Sequence, residues 1–159
     1  MAQVTIEYMI MIPVLILQIF LFPIVAGVII NAWDGSRRTL ELQDTAGHLG
    51  STIQQFYYTI NHGSIANGAM TINLDIPPLI EGYAYTVTLR HVTQLDTTCQ
   101  VMNVTLKLIE FNNAASALVT LGDNVDWQEN LAFNSTDHSL CLNADKTSNS
   151  IVLSFGGIA

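Results

Sequence analysis

The chain has 159 residues, of which 50% are hydrophobic and only 11% charged, and its net charge is −8. That length suffices for one apolar segment and one domain of roughly 90–100 residues with its own core, which excludes a two-domain soluble enzyme. The strong cations Arg37, Arg38, Arg90, Lys107 and Lys146 make no basic patch, which excludes nucleic acid as a partner.

Residues 8–30 (YMIMIPVLILQIFLFPIVAGVII) form an almost unbroken apolar run, with Gln18 its only strongly polar side chain and Glu7 immediately ahead of it. About twenty such residues cross a bilayer as a helix. A helix packed on a soluble core would show a polar face, and this run has none. A secretory signal is shorter in its apolar part, about 7–15 residues, and is preceded by basic residues. Pro13 and Pro23 each remove a helix hydrogen bond, a loss that neighbouring helices can cover.

After the interruption at Asp34, Gly35 and Ser36, apolar residues recur at Leu40, Ala46, Leu49, Ile53, Phe56 and Ile60. That stripe predicts an amphipathic helix over 36–60, continuous with the apolar part over 8–32. At 1.5 Å per residue, a helix from Val4 to Ile60 would be about 85 Å long, far more than a bilayer needs. Phe56, Tyr57 and Tyr58 at its end read as packing against the domain that follows. The glycines and asparagines of 61–68 stop the helix, so an N-terminal helix over 1–62 precedes a β domain over 63–159.

From there the period falls to two: Met70, Ile72 and Leu74; Tyr83, Tyr85, Val87 and Leu89; Val104, Leu106 and Leu108; then Ala117, Val119 and Leu121; Leu140 and Leu142; Ile151, Leu153 and Phe155. Six or seven short strands with no intervening helix predict a compact antiparallel sandwich or barrel, and the fold class is α+β. Cys99 and Cys141 fall on the outward parity of their strands. A disulfide between them would contribute about 4 kcal/mol through loop closure, the alternative being two inert thiols. Asn103-Val104-Thr105 and Asn134-Ser135-Thr136 are glycosylation sequons, and N-linked glycans at Asn103 and Asn134 would, with the disulfide, place the β domain outside the cell. Arg37 and Arg38 instead favour a cytoplasmic end to the run, a conflict that a basic leader ahead of Met1 would resolve.

Gln3-Val4-Thr5-Ile6-Glu7-Tyr8 ahead of a continuous apolar helix resembles the N-terminus of archaeal type IV pilins with class III signal peptides. The resemblance is detailed over the N-terminal segment and architectural over the rest. It implies that a membrane aspartic peptidase, the prepilin peptidase, cuts between Ala2 and Gln3, although Ala stands where the family has Gly. Apart from any resemblance, an ionised Glu7 at the end of an apolar helix is costly in lipid or in a dry bundle. Its nearest available cation is an α-amino group, its own or a neighbour's, and that pair would fix the axial register between subunits. At headgroup level Glu7 would merely be solvated. Gln18 would seek an interhelical hydrogen bond.

The expectation is a subunit of an extracellular adhesion filament, Gln3, Glu7, Tyr8 and Gln18 serving processing and assembly. The helix is held in the membrane before assembly, then bundles into a helical homopolymer with β domains as its sheath. A separate assembly ATPase and platform would lift subunits out, since the chain has no phosphate loop. Alternatives are an archaellin-type motility subunit and a single-span protein displaying a β-domain adhesive module. Catalysis finds little support: His48, His62, His91 and His138 stand in no metal-ligand spacing, no nucleophile elbow occurs, and no cofactor is implied. Asp123, Asp126 and Glu129 lack the spacing of a calcium loop and read as a solvated turn.

Overall fold

The computed structural model describes residues 2–63, 65, 67–92, 100–127, 132–137 and 140–157, with the backbone alone for residues 2–8. Its first element is helix α1 (Ala2–Asn61), which runs without a break through Pro13, Pro23 and the 34–36 interruption. Ser36 does not start a new helix there: its hydroxyl donates to the Ala32 carbonyl one turn back at 3.0 Å. Eight strands follow: β1 (Gly68–Asn73), β2 (Tyr85–Val92), β3 (Gln100–Leu108), β4 (Ala114–Leu121), β5 (Val125–Trp127), β6 (Ala132–Asn134), β7 (Leu140–Lys146) and β8 (Ile151–Gly157). The fold is α+β, a long N-terminal helix followed by two largely antiparallel sheets.

The chain divides into two compact units, Met1–Arg37 and Arg38–Ala159. Secondary structure changes near residue 62, but packing changes at 37/38. The cause is the amphipathic stripe. Leu42, Ala46, Leu49, Ile53, Phe56 and Ile60 alternate four and three apart, adjacent Tyr57 joins them, and all are 0–5% exposed, so this half of α1 is a core element of the β fold. Leu40, expected on the stripe, is 66% exposed, and Leu42 takes its place. The 42-46-49 spacing keeps one face in register, whereas Leu40 lies about 160° from Leu42 around a helix of 3.6 residues per turn.

One sheet has the order β4-β3-β2-β6 and the other β1-β7-β8-β5. Strand alternation follows the period-two sequence: Tyr85, Val87 and Leu89 are buried between half-exposed Thr86 and Thr88, and Val104 and Leu106 flank a half-buried Thr105. The inner residues of both sheets and the helical stripe form a single cluster, with Leu142, Ala144, Ile151 and Leu153 coming from the second sheet. Gly50 marks a close approach of helix to sheet, since a Cβ there would stand 3.0 Å from Val119 Cγ2 and 3.8 Å from Ala117 Cβ. A fully antiparallel sandwich is not what forms: β5 pairs with β8 in parallel through Val125–Ile151, Asp126–Val152 and Trp127–Leu153. A chain that leaves β5, crosses to β6 in the other sheet and returns through β7 and β8 re-enters beside β5 in the same direction.

Candidate functional site

In the first unit every large apolar side chain between Met9 and Ile30 faces outward, from Met9 at 76% exposed down to Val25 at 47%. Exposure is all round rather than confined to a stripe. Among the described residues, α1 is the helix long and apolar enough to cross a membrane. Gln18 sits exposed in the middle of this surface. The side chains of Gln3, Glu7 and Tyr8 lie outside the described residues, although their backbone belongs to α1. On one face a shallow recess of about 450 Å³ is lined by Pro13, Ile16, Leu17, Phe20, Leu21 and Ile24. A solvated monomer would leave this whole surface in water, at roughly 25 cal/mol per Å² of apolar area.

In the second unit the helical half is clasped at both ends, by contacts that the sequence does not foretell although it draws attention to Arg38, Lys146 and Tyr57 on other grounds. At the N-terminal end Arg38 lies over the ring of Phe111, 4.2 Å from its centroid, and 5.1 Å from that of Tyr83. Those rings meet edge to face at 4.8 Å, and Arg38 Nε is 3.6 Å from a Glu81 carboxylate oxygen. Guanidinium suits this place because its face stacks on aromatic rings while its charge stands beside a carboxylate, although among the described residues Nε itself makes no hydrogen bond. Glu81 adopts φ 49°, a left-handed turn conformation uncommon for a side chain other than Gly or Asn. The Asn113 amide adds a bond to the Thr39 hydroxyl at 2.9 Å.

At the C-terminal end Lys146 on β7 donates to the carbonyls of Ile60 (2.7 Å), His62 (3.0 Å) and Ile65 (3.1 Å). The last turn of α1 carries no basic residue of its own, so this distant lysine supplies the cation that its partial negative charge attracts. Beside it Tyr57, Asn124 and Asn61 close a ring. The tyrosine hydroxyl donates to Asn124 Oδ1 (2.8 Å), Asn124 Nδ2 to Asn61 Oδ1 (2.9 Å), and Asn61 Nδ2 back to the tyrosine oxygen (3.1 Å). Gly122 leaves room for it, because a Cβ there would collide with the Tyr57 hydroxyl.

The modification candidates are placed differently from one another. Asn103 lies on central strand β3, between Arg90 of β2 and Leu118 of β4, half-buried, its Oδ1 enclosed with no hydrogen-bond partner among the described residues. Asn134 is exposed at the end of short β6, but the next residue of its sequon, Ser135, is buried. Ser135 Oγ accepts from the Tyr85 amide at 3.1 Å and donates to the Pro78 carbonyl at 2.7 Å. Cys141 has the expected parity, opposite to Leu142 and Ala144, yet it is 1% exposed rather than outward in solvent. It is a free thiol that donates to the Gly156 carbonyl, and no Cys99–Cys141 disulfide is formed. Cys99 itself lies outside the described residues, as do His138 and Glu129. Among the described residues no three His, Cys, Asp or Glu side chains converge to hold a metal ion.

Comparison with family models, with curated proteins and with solved structures gave no match to this chain.

Proposed function

We propose that this chain is the subunit of an extracellular filament of the archaeal type IV pilin kind, built for attachment. The supporting observation is the helix that is apolar on every side over Met9–Ile30 and, in the same α1, packed by one stripe into a β fold over Leu42–Ile60. An all-round apolar surface is stable in only two settings, lipid and a dry bundle of like helices. The filament uses both in turn: the helix anchors the new subunit in the membrane, then exchanges lipid for copies of itself. Polymerisation conserves the buried area, so the work of extraction comes from a separate ATPase. Gln3, Glu7 and Tyr8 form the processing and register segment, the cut falling after Ala2. The subunit is non-catalytic, and its β units form the outer sheath.

Electron microscopy of sheared extracellular material, with N-terminal sequencing of its 17.4 kDa component, tests this reading. Thin filaments of this chain beginning at Gln3 support it. Recovery only from detergent-extracted membranes, unprocessed and without filaments, refutes it in favour of a single-span display protein.

A further inference from the structure

Three hydrogen-bonding defects lie in the apolar half of α1, the Met9 and Ile19 carbonyls that lose their donors to Pro13 and Pro23 and the amide of Gln18, and the first and last of these face opposite ways. Pro13 has no N–H, so the Met9 carbonyl loses the donor that a helix would place four residues on. Gln18 carries a primary amide with two N–H donors into a surface that is otherwise hydrocarbon. Nine residues separate Gln18 from Met9, about 13 Å along the axis, beyond the reach of a glutamine side chain. At about 100° per residue, nine residues also amount to two and a half turns, so the donor and the freed carbonyl lie on opposite sides of the helix. The Pro13 side is also where the recess of about 450 Å³ lies, over Pro13, Ile16, Leu17, Phe20, Leu21 and Ile24.

Resting on the filament reading, we infer that Gln18 of one copy enters the Pro13 recess of a second copy and donates to its Met9 carbonyl. The occupant is a second copy because donor and acceptor are complementary yet face opposite ways. Lipid tails supply neither partner. Side chains on a helix lean toward its N-terminus while carbonyls point toward its C-terminus, so in parallel copies the amide meets the carbonyl head on. The required axial stagger is roughly 10 Å, the nine-residue rise less that lean. Because the two faces differ, the contact is head-to-tail and propagates along a row of copies instead of closing a pair.

The test uses filaments of the full chain carrying Gln18→Leu, Pro13→Ala, both together, or Gln18→Leu with Pro23→Ala, each heated in dilute detergent while released subunits are measured. Gln18→Leu is expected to raise the released fraction several-fold at the wild-type midpoint. With Pro13→Ala, which restores an N–H to Met9, Gln18→Leu should add nothing further. With Pro23→Ala its full effect should remain. Unchanged release from Gln18→Leu filaments overturns the inference and leaves the filament reading standing, as does a Gln18→Leu effect that persists beside Pro13→Ala. Absence of filaments from the unaltered chain overturns both.

Discussion

Replacing Lys146 by Met keeps the aliphatic stem and removes only the ammonium group, which isolates the clasp at the end of α1. Three main-chain carbonyls then lose a charged donor. The His62 carbonyl regains water readily because its residue is exposed, but Ile60 is 1% exposed and its carbonyl stays largely unmet. One charged hydrogen bond contributes about 1.5–3 kcal/mol where solvent is excluded, and Lys146 is only half-buried, so the lower figure applies. The helix-end interaction adds about 0.3–1 kcal/mol. The expected loss is therefore about 2–2.5 kcal/mol, measured by urea unfolding of the full chain in detergent. Amide exchange should accelerate first over residues 57–61. A loss below about 0.5 kcal/mol, or faster exchange spread evenly over the β unit, would refute the account of Lys146 as a cap.

Other outcomes follow from the same packing. Burial pushes the Tyr85 hydroxyl from 10.0 up to about 12. Because the folded state disfavours ionisation, its stabilising effect is complete below about pH 10 and disappears as pH rises through about 12, at most about 3 kcal/mol. Tyr85→Phe should flatten that alkaline limb in unfolding measurements while costing about 1–2 kcal/mol at neutral pH, through the bond lost to the Pro77 carbonyl. Gly50→Leu should cost about 3 kcal/mol or more by thermal melting, since even a Cβ stands 3.0 Å from Val119. Gly50→Ala should be far milder, its better helix propensity of about 1 kcal/mol offsetting the tight contact. Cys141 should resist thiol reagents in the folded chain and react on unfolding; fast native labelling would contradict its 1% exposure.

The long helix and the strand alternation were legible because each is written locally, as an apolar run or as a repeat of three-four or two. The stripe from Ala46 to Ile60 was read correctly, and its phase failed only at Leu40, where two leucines compete and one turn of periodicity cannot choose between them. The short strands β5 and β6 were not legible. Three residues carry no period, and their pairing with Ile151–Leu153 and Thr86–Thr88 depends on partners far away in sequence. Distance also hid the clasps, since Lys146 meets carbonyls more than eighty residues earlier and Arg38 meets Glu81 and Phe111. Parity placed Cys141 on the side opposite the core, but parity says nothing about what covers that side. Within the candidate site, Gln18 and the two prolines stood out at once, because a polar or imino residue in hydrocarbon is conspicuous without any structure.

The ring of Tyr57, Asn61 and Asn124 constrains how this protein can change over time. Each member both donates and accepts a hydrogen bond, so a single substitution strands two groups instead of one, and Gly122 must stay small while the tyrosine remains. Drift at these positions has to be concerted. Lineages should carry either the whole set or a wholly apolar replacement, with few intermediates between them. The exposed faces of the sheets bear no such obligation and are free to diversify, so the β fold can vary its outer surface while keeping the joint that holds the end of its helix.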